Sequence, residues 1–360
     1  MKRVFISDCE GPISKNDNAF EITSHFVPNG DKIFAVISKY DDVLADVLKR
    51  PNHKAGSTLK LILPFLKAYD VTDAKMREFS AQNLLLISNI KGTLQYVRSV
   101  AYAFIVSTSY EHYIKALCQA LGFPYENTYC TRISIDKYHM TGGEKTKLKE
   151  TAEEISQMPM IEIPQNAKST TDFSEKDQET IRRLDEIFWK EIACTDCGRI
   201  FSEVNPVGGS EKAASIRDIV QKASMAFADA MYVGDSITDV EAFRLVRDKG
   251  GLTVSFNGNQ YAIKTAEVAV LSESSMVTAV IADVFSRFGK RQAISLVENW
   301  NSEALKKSTI DQTLLSGLFK LYPSELPKVK IITSENMEIL AKESSEFRKK
   351  VRGATIGRLG

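Results

Sequence analysis

Lys2-Arg3-Val4-Phe5-Ile6-Ser7-Asp8-Cys9-Glu10-Gly11-Pro12 takes the chain through a short apolar run into two acids and a Gly-Pro turn. A strand that ends in a carboxylate and a tight turn places the acid at the carboxyl edge of an α/β sheet, where ligands of such folds bind. The pattern returns in Gly234-Asp235-Ser236-Ile237-Thr238-Asp239, which follows a second apolar run from Asp229 to Val233. Two such edges side by side would bring several carboxylates to one point. Hard divalent cations want clustered oxygen ligands, and Mg²⁺ usually takes one or two carboxylates and shares its shell with water and substrate phosphate. Phosphate chemistry assisted by Mg²⁺ is the expectation these two stretches set.

Working outward, strand and helix alternate in the first and middle parts of the chain, the pattern of a parallel sheet covered on both faces. Strands are expected at Lys2 to Ser7, Tyr102 to Val106, Tyr129 to Ile135, Asp229 to Val233, Leu252 to Phe256 and Val268 to Leu271. Helices are expected at Leu86 to Arg98, Glu111 to Leu121 (stopped by Gly122) and Ala213 to Ala223. Two stretches interrupt this rhythm. The first, 14–83, spaces Ile33, Phe34, Val36, Ile37, Val43, Leu44, Val47 and Leu48 for one buried helical face. The second, 137–206, carries charged helical segments joined by Pro159, Pro164 and a polar Ser169-Thr170-Thr171 linker. Insertions at the carboxyl edge of a sheet make natural lids. The division expected is a core of 1–13, 84–136 and 207–289, a helical cap at 14–83, a second insertion at 137–206, and a helical extension at 290–360 to which no chemistry is assigned.

Composition is that of an ordinary globular enzyme: 360 residues, 43% apolar and 26% charged. A net charge of +1 gives no nucleic-acid footprint. The first residues are too few for a signal peptide, and no apolar run approaches the roughly 20 residues of a membrane span. A cytoplasmic protein with no membrane insertion is expected. Five cysteines, an odd number without an export signal, argue for reduced thiols.

Asp8 and Glu10 after the first strand, Ser107 after a hydrophobic strand, Lys212 upstream of another, and Gly234-Asp235 with Asp239 resemble, in order and spacing, the four motifs of the haloacid dehalogenase (HAD) superfamily. The resemblance covers Met1 to Gly11 and Asn89 to Leu271 and leaves the insertions and tail aside. More narrowly, the Asp-x-Glu-Gly-Pro opening is similar to that of archaeal HAD-like proteins, some of which carry the label energy-converting hydrogenase A subunit R. The fold implied is α/β: a Rossmann-like parallel sheet core with mostly helical cap insertions.

The resemblance implies that Asp8 attacks phosphorus and becomes an aspartyl phosphate that water hydrolyses, one hard step split into two. It implies Mg²⁺ held by Asp8, Asp235 and the main-chain carbonyl of Glu10, with Asp239 orienting metal-bound water or Asp235. Ser107 would donate to a phosphoryl oxygen, and Lys212 would neutralise charge on the phosphoryl group and Asp8. Glu10 departs from the commoner pattern, which has Asp as the general acid two residues after the nucleophile. Glu transfers a proton equally well, with an unperturbed pKa of about 4.3 against 3.9 for Asp. Its side chain is longer by one C–C bond of about 1.5 Å, and a misplacement of about 1 Å can cost on the order of a hundredfold in rate. An altered but working site is expected.

Each assignment has a plainer rival. Asp8, Glu10 and Asp235 could be exposed turn residues, and Asp239 a helix cap. Thr108 and Ser109 compete with Ser107, and Lys145 in Gly142-Gly143-Glu144-Lys145 competes with Lys212, which alone lies one helix and one strand before Asp235. Cys194-Thr195-Asp196-Cys197 lacks a second Cys pair or nearby His to complete a zinc site, and a catalytic role for Cys9 is not expected. Three functions follow: an Mg²⁺-dependent phosphatase for a small phosphorylated metabolite; a weak or inactive HAD-fold subunit that binds a protein partner, such as an energy-converting hydrogenase; and a dehalogenase or phosphonatase. The paired acids argue against a dehalogenase, which needs no Mg²⁺, and no lid lysine stands out for a phosphonatase. The phosphatase is the leading expectation.

Overall fold

The structure is a computed structural model that describes residues 2–51 and 53–358. Seven strands form one sheet: β1 (Arg3–Ser7), β2 (Ala101–Tyr110), β3 (Thr128–Thr131), β4 (Ala230–Gly234), β5 (Leu252–Phe256), β6 (Val268–Leu271) and β7 (Lys328–Ile331). Their spatial order is β3-β2-β1-β4-β5-β6-β7, parallel throughout except for the antiparallel β6–β7 pair. This is the α/β parallel sheet that the alternation of apolar runs implies, with the Rossmann-like core that the family resemblance implies. Strands buried on both faces read as nearly unbroken apolar runs. Val4 and Ile6 face a core with Tyr232, Ile216, Ile219 and Phe243, while Phe5 joins Ala103, Ile105, Met231 and Val254 on the opposite face.

Chain order reverses direction at β1. Successive strands first step outward to β2 and β3, then resume on the other side of β1 with β4. In register, Ser7 pairs with Ile105 of β2 and with Val233 of β4, and the Asp8 N–H continues that ladder onto the Val233 carbonyl at 2.8 Å. A topological switch point leaves a crevice at the carboxyl ends of the strands. Asp8, Ser107 and Asp235 all sit at this end.

The two inserted segments form one cap. Helices Gly30–Asp42 and Thr58–Ala68 from the first share a buried core with Gly142–Gln157 and Glu175–Glu186 from the second; Ile33, Ile37 and Phe65 pack with Leu148, Leu184 and Phe188. Both hinges of the first segment are knotted by the buried Asn16. Its Nδ2 donates to the Asn83 carbonyl at 2.8 Å, and its Oδ1 accepts from the Leu85 N–H at 2.8 Å and the Tyr113 hydroxyl at 2.9 Å.

Several boundaries differ from the sequence expectation: the strand expected at Tyr102 to Val106 runs on to Tyr110 and so contains Ser107, and the helix expected from Ala213 begins at Ser210. The first core helix begins at Ile90, not Leu86, because Ser14 pairs with Leu86 and Ser88 with Ser274, and Asn89 turns the chain at φ 63°. The strand expected to reach Ile135 ends at Thr131, and a short turn of helix covers Ile135–Lys137. The tail, expected to be helical, supplies β7. Lys328 and Lys330 are exposed on this strand while Val329 is buried, a two-residue alternation suited to a half-buried edge. The tail also completes the main core through Leu305, Leu314 and Leu318. Leu318→Ala should therefore cost about 2–5 kcal/mol, seen as a lower urea midpoint with unchanged slope. An unchanged midpoint would mean that the tail folds apart from the sheet.

Candidate active site

Lys212 organises the crevice. It lies in the first turn of helix Ser210–Lys222, fully buried, with its Nζ 2.8 Å from Asp8 Oδ2 and 2.7 Å from Asp239 Oδ1. Burial pulls an ammonium down, but Asp239 and Asp8 outweigh it and hold Lys212 above its ordinary pKa. Asp8 is 4% exposed. Burial pushes its pKa up to about 6 even though Lys212 draws it back. The other Asp8 oxygen accepts the Cys9 N–H at 2.7 Å. Cys9 itself packs into the main core with Ile13 and Ile87.

Asp239 is fully committed to its neighbours. Its Oδ1 also accepts from the Tyr232 hydroxyl at 2.6 Å, and its Oδ2 accepts the N–H groups of Asp235 and Ser236, each at 2.9 Å. It ties Lys212 to the turn carrying Asp235. Carboxylate oxygens of Asp8, Asp235 and Asp239 lie within 4.8 Å of one another, a donor set of the kind Mg²⁺ uses. Asp239, whose oxygens are taken by Lys212, Tyr232 and the main chain, does not line the cavity, whereas Asp8 and Asp235 do.

Glu10 lines the same cavity as that pair. Its Oε1 accepts the Asn18 N–H, at the start of helix Asn18–Phe26, at 2.8 Å. Burial raises its pKa to about 8, and nearby Asp17 adds to the shift. Asp8 and Glu10 are thus driven to different extents, a separation that suits one ionised and one protonated carboxyl near neutral pH. Ser107 Oγ accepts the Ser109 N–H at 3.2 Å and bonds its hydroxyl at 3.1 Å. Thr108 Oγ1 is buried with no hydrogen-bond partner among the described residues. Ser107 and Thr108 both line the cavity; Ser109 and Lys145 do not. Lys145 pairs instead with Asp70 on the cap.

The residues that sequence reasoning missed come from the tail. Helix Met337–Arg352 delivers Arg348 and Arg352 into the crevice, where both guanidinium groups meet Asp235 Oδ2. The Arg352 contact is 3.1 Å, and its Nε donates to the Lys15 carbonyl at 3.0 Å. The tail thus carries site residues where no chemistry was assigned. A signal did exist: Leu340, Ser344, Arg348 and Arg352 recur every four residues along the buried face, so two cations stand where an amphipathic helix should be apolar. Gly11 makes room for this arrangement. A Cβ there would lie 2.1 Å from Asp235 Oδ2, and its φ is 109°.

The resulting cavity holds about 100 Å³ and is roofed by Phe34, Ser38, Thr58 and Leu59 of the cap. The Asn257–Asn259 turn supports Asp235 from outside the cavity lining, with the Asn259 N–H on the Asp235 carbonyl at 2.8 Å. Cys194 is exposed and Cys197 buried, both as free thiols, and neither lines the cavity.

A family model described as haloacid dehalogenase-like hydrolase matches residues 86–283. That span contains Ser107, Lys212, Asp235 and Asp239. Among solved structures, the gene product AF1437 from Archaeoglobus fulgidus aligns over 100% of this chain and 99% of its own, with 25% identity and a TM-score of 0.80. Phosphoserine phosphatase in its apo form aligns over 76% of this chain and 96% of its own at 13% identity and a TM-score of 0.42. Its substrate-bound complex gives 13% identity, coverage of 76% and 95%, and a TM-score of 0.45. Overlaps that low carry no argument about substrate. No curated protein matches the sequence.

One acid beside the site reports its electrostatics without belonging to it. Both oxygens of Glu21 accept from Asn16 Nδ2, at 2.9 and 2.8 Å, yet burial raises its pKa from 4.5 to about 7. A carboxyl raised on folding contributes fully below its unfolded pKa, and that contribution is lost as pH rises through the folded value. Glu21→Gln should therefore melt at a higher temperature than wild type above pH 7 and at the same temperature near pH 4. A melting difference independent of pH would contradict this burial.

Proposed function

Since the chain belongs to the haloacid dehalogenase-like hydrolases, we propose that it is a phosphatase for a small phosphorylated metabolite, with Asp8 as nucleophile and Glu10 as general acid and base. The observation that carries this reading is the Lys212 bridge: a buried carboxylate at the sheet's switch point, held on one oxygen by an ammonium and on the other by a main-chain N–H. A carboxylate fixed in this way is oriented for attack.

In the proposed sequence, an Asp8 oxygen forms a bond to phosphorus as the ester P–O bond breaks. The leaving oxygen takes the proton of Glu10, whose raised pKa favours the protonated form. Glu10, now ionised, accepts a proton from the water that attacks the aspartyl phosphate. The Asp8–phosphorus bond breaks, and inorganic phosphate leaves. Lys212 offsets charge on Asp8 throughout. Ser107 and Thr108, both at the cavity wall, donate to phosphoryl oxygens. Thr108 is the better placed because its hydroxyl has no competing partner among the described residues. Mg²⁺, when bound by Asp8, Asp235 and the Glu10 carbonyl, would supply Lewis-acid charge neutralisation between two anions.

The extra methylene of Glu10 is accommodated by direction. Its carboxyl lies against the N-terminus of the first cap helix, so the proton donor is set partly by the cap. The cavity volume of about 100 Å³ favours a small leaving group, and the net charge of +1 gives no reason to invoke a nucleic-acid substrate.

A panel of small phosphomonoesters, assayed for phosphate release with Mg²⁺ and with a chelator, tests this reading. Turnover of at least one ester should depend on Mg²⁺ and vanish in Asp8→Asn. Glu10→Gln should lower kcat by about 10²–10⁴. Equal phosphate release by wild type and Asp8→Asn would sink the assignment of Asp8.

A further inference from the structure

Two guanidinium groups and a metal ion cannot use one carboxylate oxygen in the same way. Arg348 Nη1 contacts Asp235 Oδ2 directly and also donates to the Asp235 main-chain carbonyl at 3.3 Å. Arg352 reaches the same Oδ2 while its other N–H groups hold the carbonyls of Lys15 and Asn16 at the cap hinge. Both side chains are nearly water-free, with 3% and 4% exposure. In so dry a site like charges repel far more strongly than in water. A dication on Asp235 and the Arg348 guanidinium would be such a pair.

The helix that carries these arginines is moored to the sheet away from the cavity. Leu340 and Ala341 pack on Ile263, Ala269 and Leu271, and the Ser344 hydroxyl donates to the Gly258 carbonyl at 2.6 Å. Its last two turns, beyond Ser344, bury Arg348 and Arg352, while their apolar residues Phe347 and Val351 are only partly buried against the neighbouring clusters. A change of charge at Asp235 therefore acts on the last turn while leaving the first turns anchored.

We propose that the C-terminal helix is a latch on the active site, in which Arg348 and a divalent cation compete for Asp235 and metal loading releases the helix's last turn from the crevice. The proposal rests on the phosphatase reading in one respect only, that Asp235 faces the metal. Linkage makes the effect reciprocal: whatever factor the metal loses to Arg348, the Arg348 contact loses to the metal. Arg352 is the last residue of the same segment, so its release also frees the Lys15 and Asn16 carbonyls at the cap hinge.

The test uses the full chain and needs no substrate. Hydrogen exchange of wild type with increasing Mg²⁺ should show faster exchange at 345–352 and little change at 337–343. Mn²⁺ binding, followed by electron paramagnetic resonance, should tighten about tenfold or more in Arg348→Met and be lost in Asp235→Asn. Exchange at 345–352 unmoved by saturating Mg²⁺ in wild type would overturn the latch, whatever the stability of the variants. So would wild-type Mn²⁺ affinity in Arg348→Met alongside lost binding in Asp235→Asn, an outcome that leaves the phosphatase reading intact. Mn²⁺ binding undiminished in Asp235→Asn would remove the metal from Asp235, and with it both the latch and the metal arm of the phosphatase reading.

Discussion

A buried ammonium between two carboxylates is the constraint on which the crevice is built. Asp8 ends β1 and Asp239 follows β4, so Lys212 joins the two strands that meet at the switch point. Without it, Asp8 and Asp239 would face each other in a dry site, and one would have to take up a proton or pay the cost of an unpaired buried charge. Buried ion pairs are weak evidence for stability, because desolvation offsets much of the attraction, but breaking one is expensive. Lys212 is therefore better understood as fixing geometry. Its helix starts after Gly208 and Gly209. Only a residue without Cβ lets Gly208 approach the Ala55 carbonyl of the cap, since a Cβ would lie 2.4 Å from that oxygen. Gly209 takes φ 48°. The two glycines bring the cap loop onto the start of the Lys212 helix.

The cap is held by a similar economy of buried polar groups. Asp41 Oδ2 accepts the N–H and hydroxyl of Thr58, each at 2.8 Å, and its Oδ1 meets His53 Nε2 at 2.5 Å. This orders the loop that runs under the roof of the cavity. Asn16 does the same for the hinges. Satisfied polar networks of this kind specify one arrangement, because any slip leaves a buried donor or acceptor unpaired. The cap position, and with it the setting of Glu10 against Asn18, follows from these buried polar contacts.

Local signals carried much of this and then failed at identifiable places. β1 and β4 were legible because strands buried on both faces leave unbroken apolar runs, and each ends in an acid. Asp8, Ser107, Lys212 and Asp235 stand out because their order and spacing resemble the haloacid dehalogenase motifs, and the structure brings all four to one crevice. β7 was not legible: four residues, Lys328 to Ile331, at a sheet edge with one side wet give little signal. The joint core of the two insertions was also hidden, since periodicity shows that a helix has a buried face and not what covers it. Arg348 was hardest to find. It meets Asp235 across 113 residues, and nothing local distinguishes it from the other basic residues of a polar helix except its place on the wrong face.

That misplaced pair of cations makes sense once the charge of the crevice is considered as a whole. Asp8, Glu10, Asp17, Asp235 and Asp239 crowd a nearly dry volume, and Lys212 alone cannot balance them. Burial already drives Asp8, Glu10 and Asp17 toward their neutral forms. A protonated ligand would have to lose its proton before it could hold a cation, as metal binding generally requires. A guanidinium, which keeps its charge in proteins, supplies a counter-charge to Asp235 without supplying a proton. Arg348 and Arg352 thus counter the charge of Asp235, and under the proposed metal role of Asp235 the same contact would set Arg348 in competition with the metal. The tail helix trades some affinity for a site that is charged and closed beforehand, and the balance between those effects is set by how firmly the last turn of Met337–Arg352 is moored.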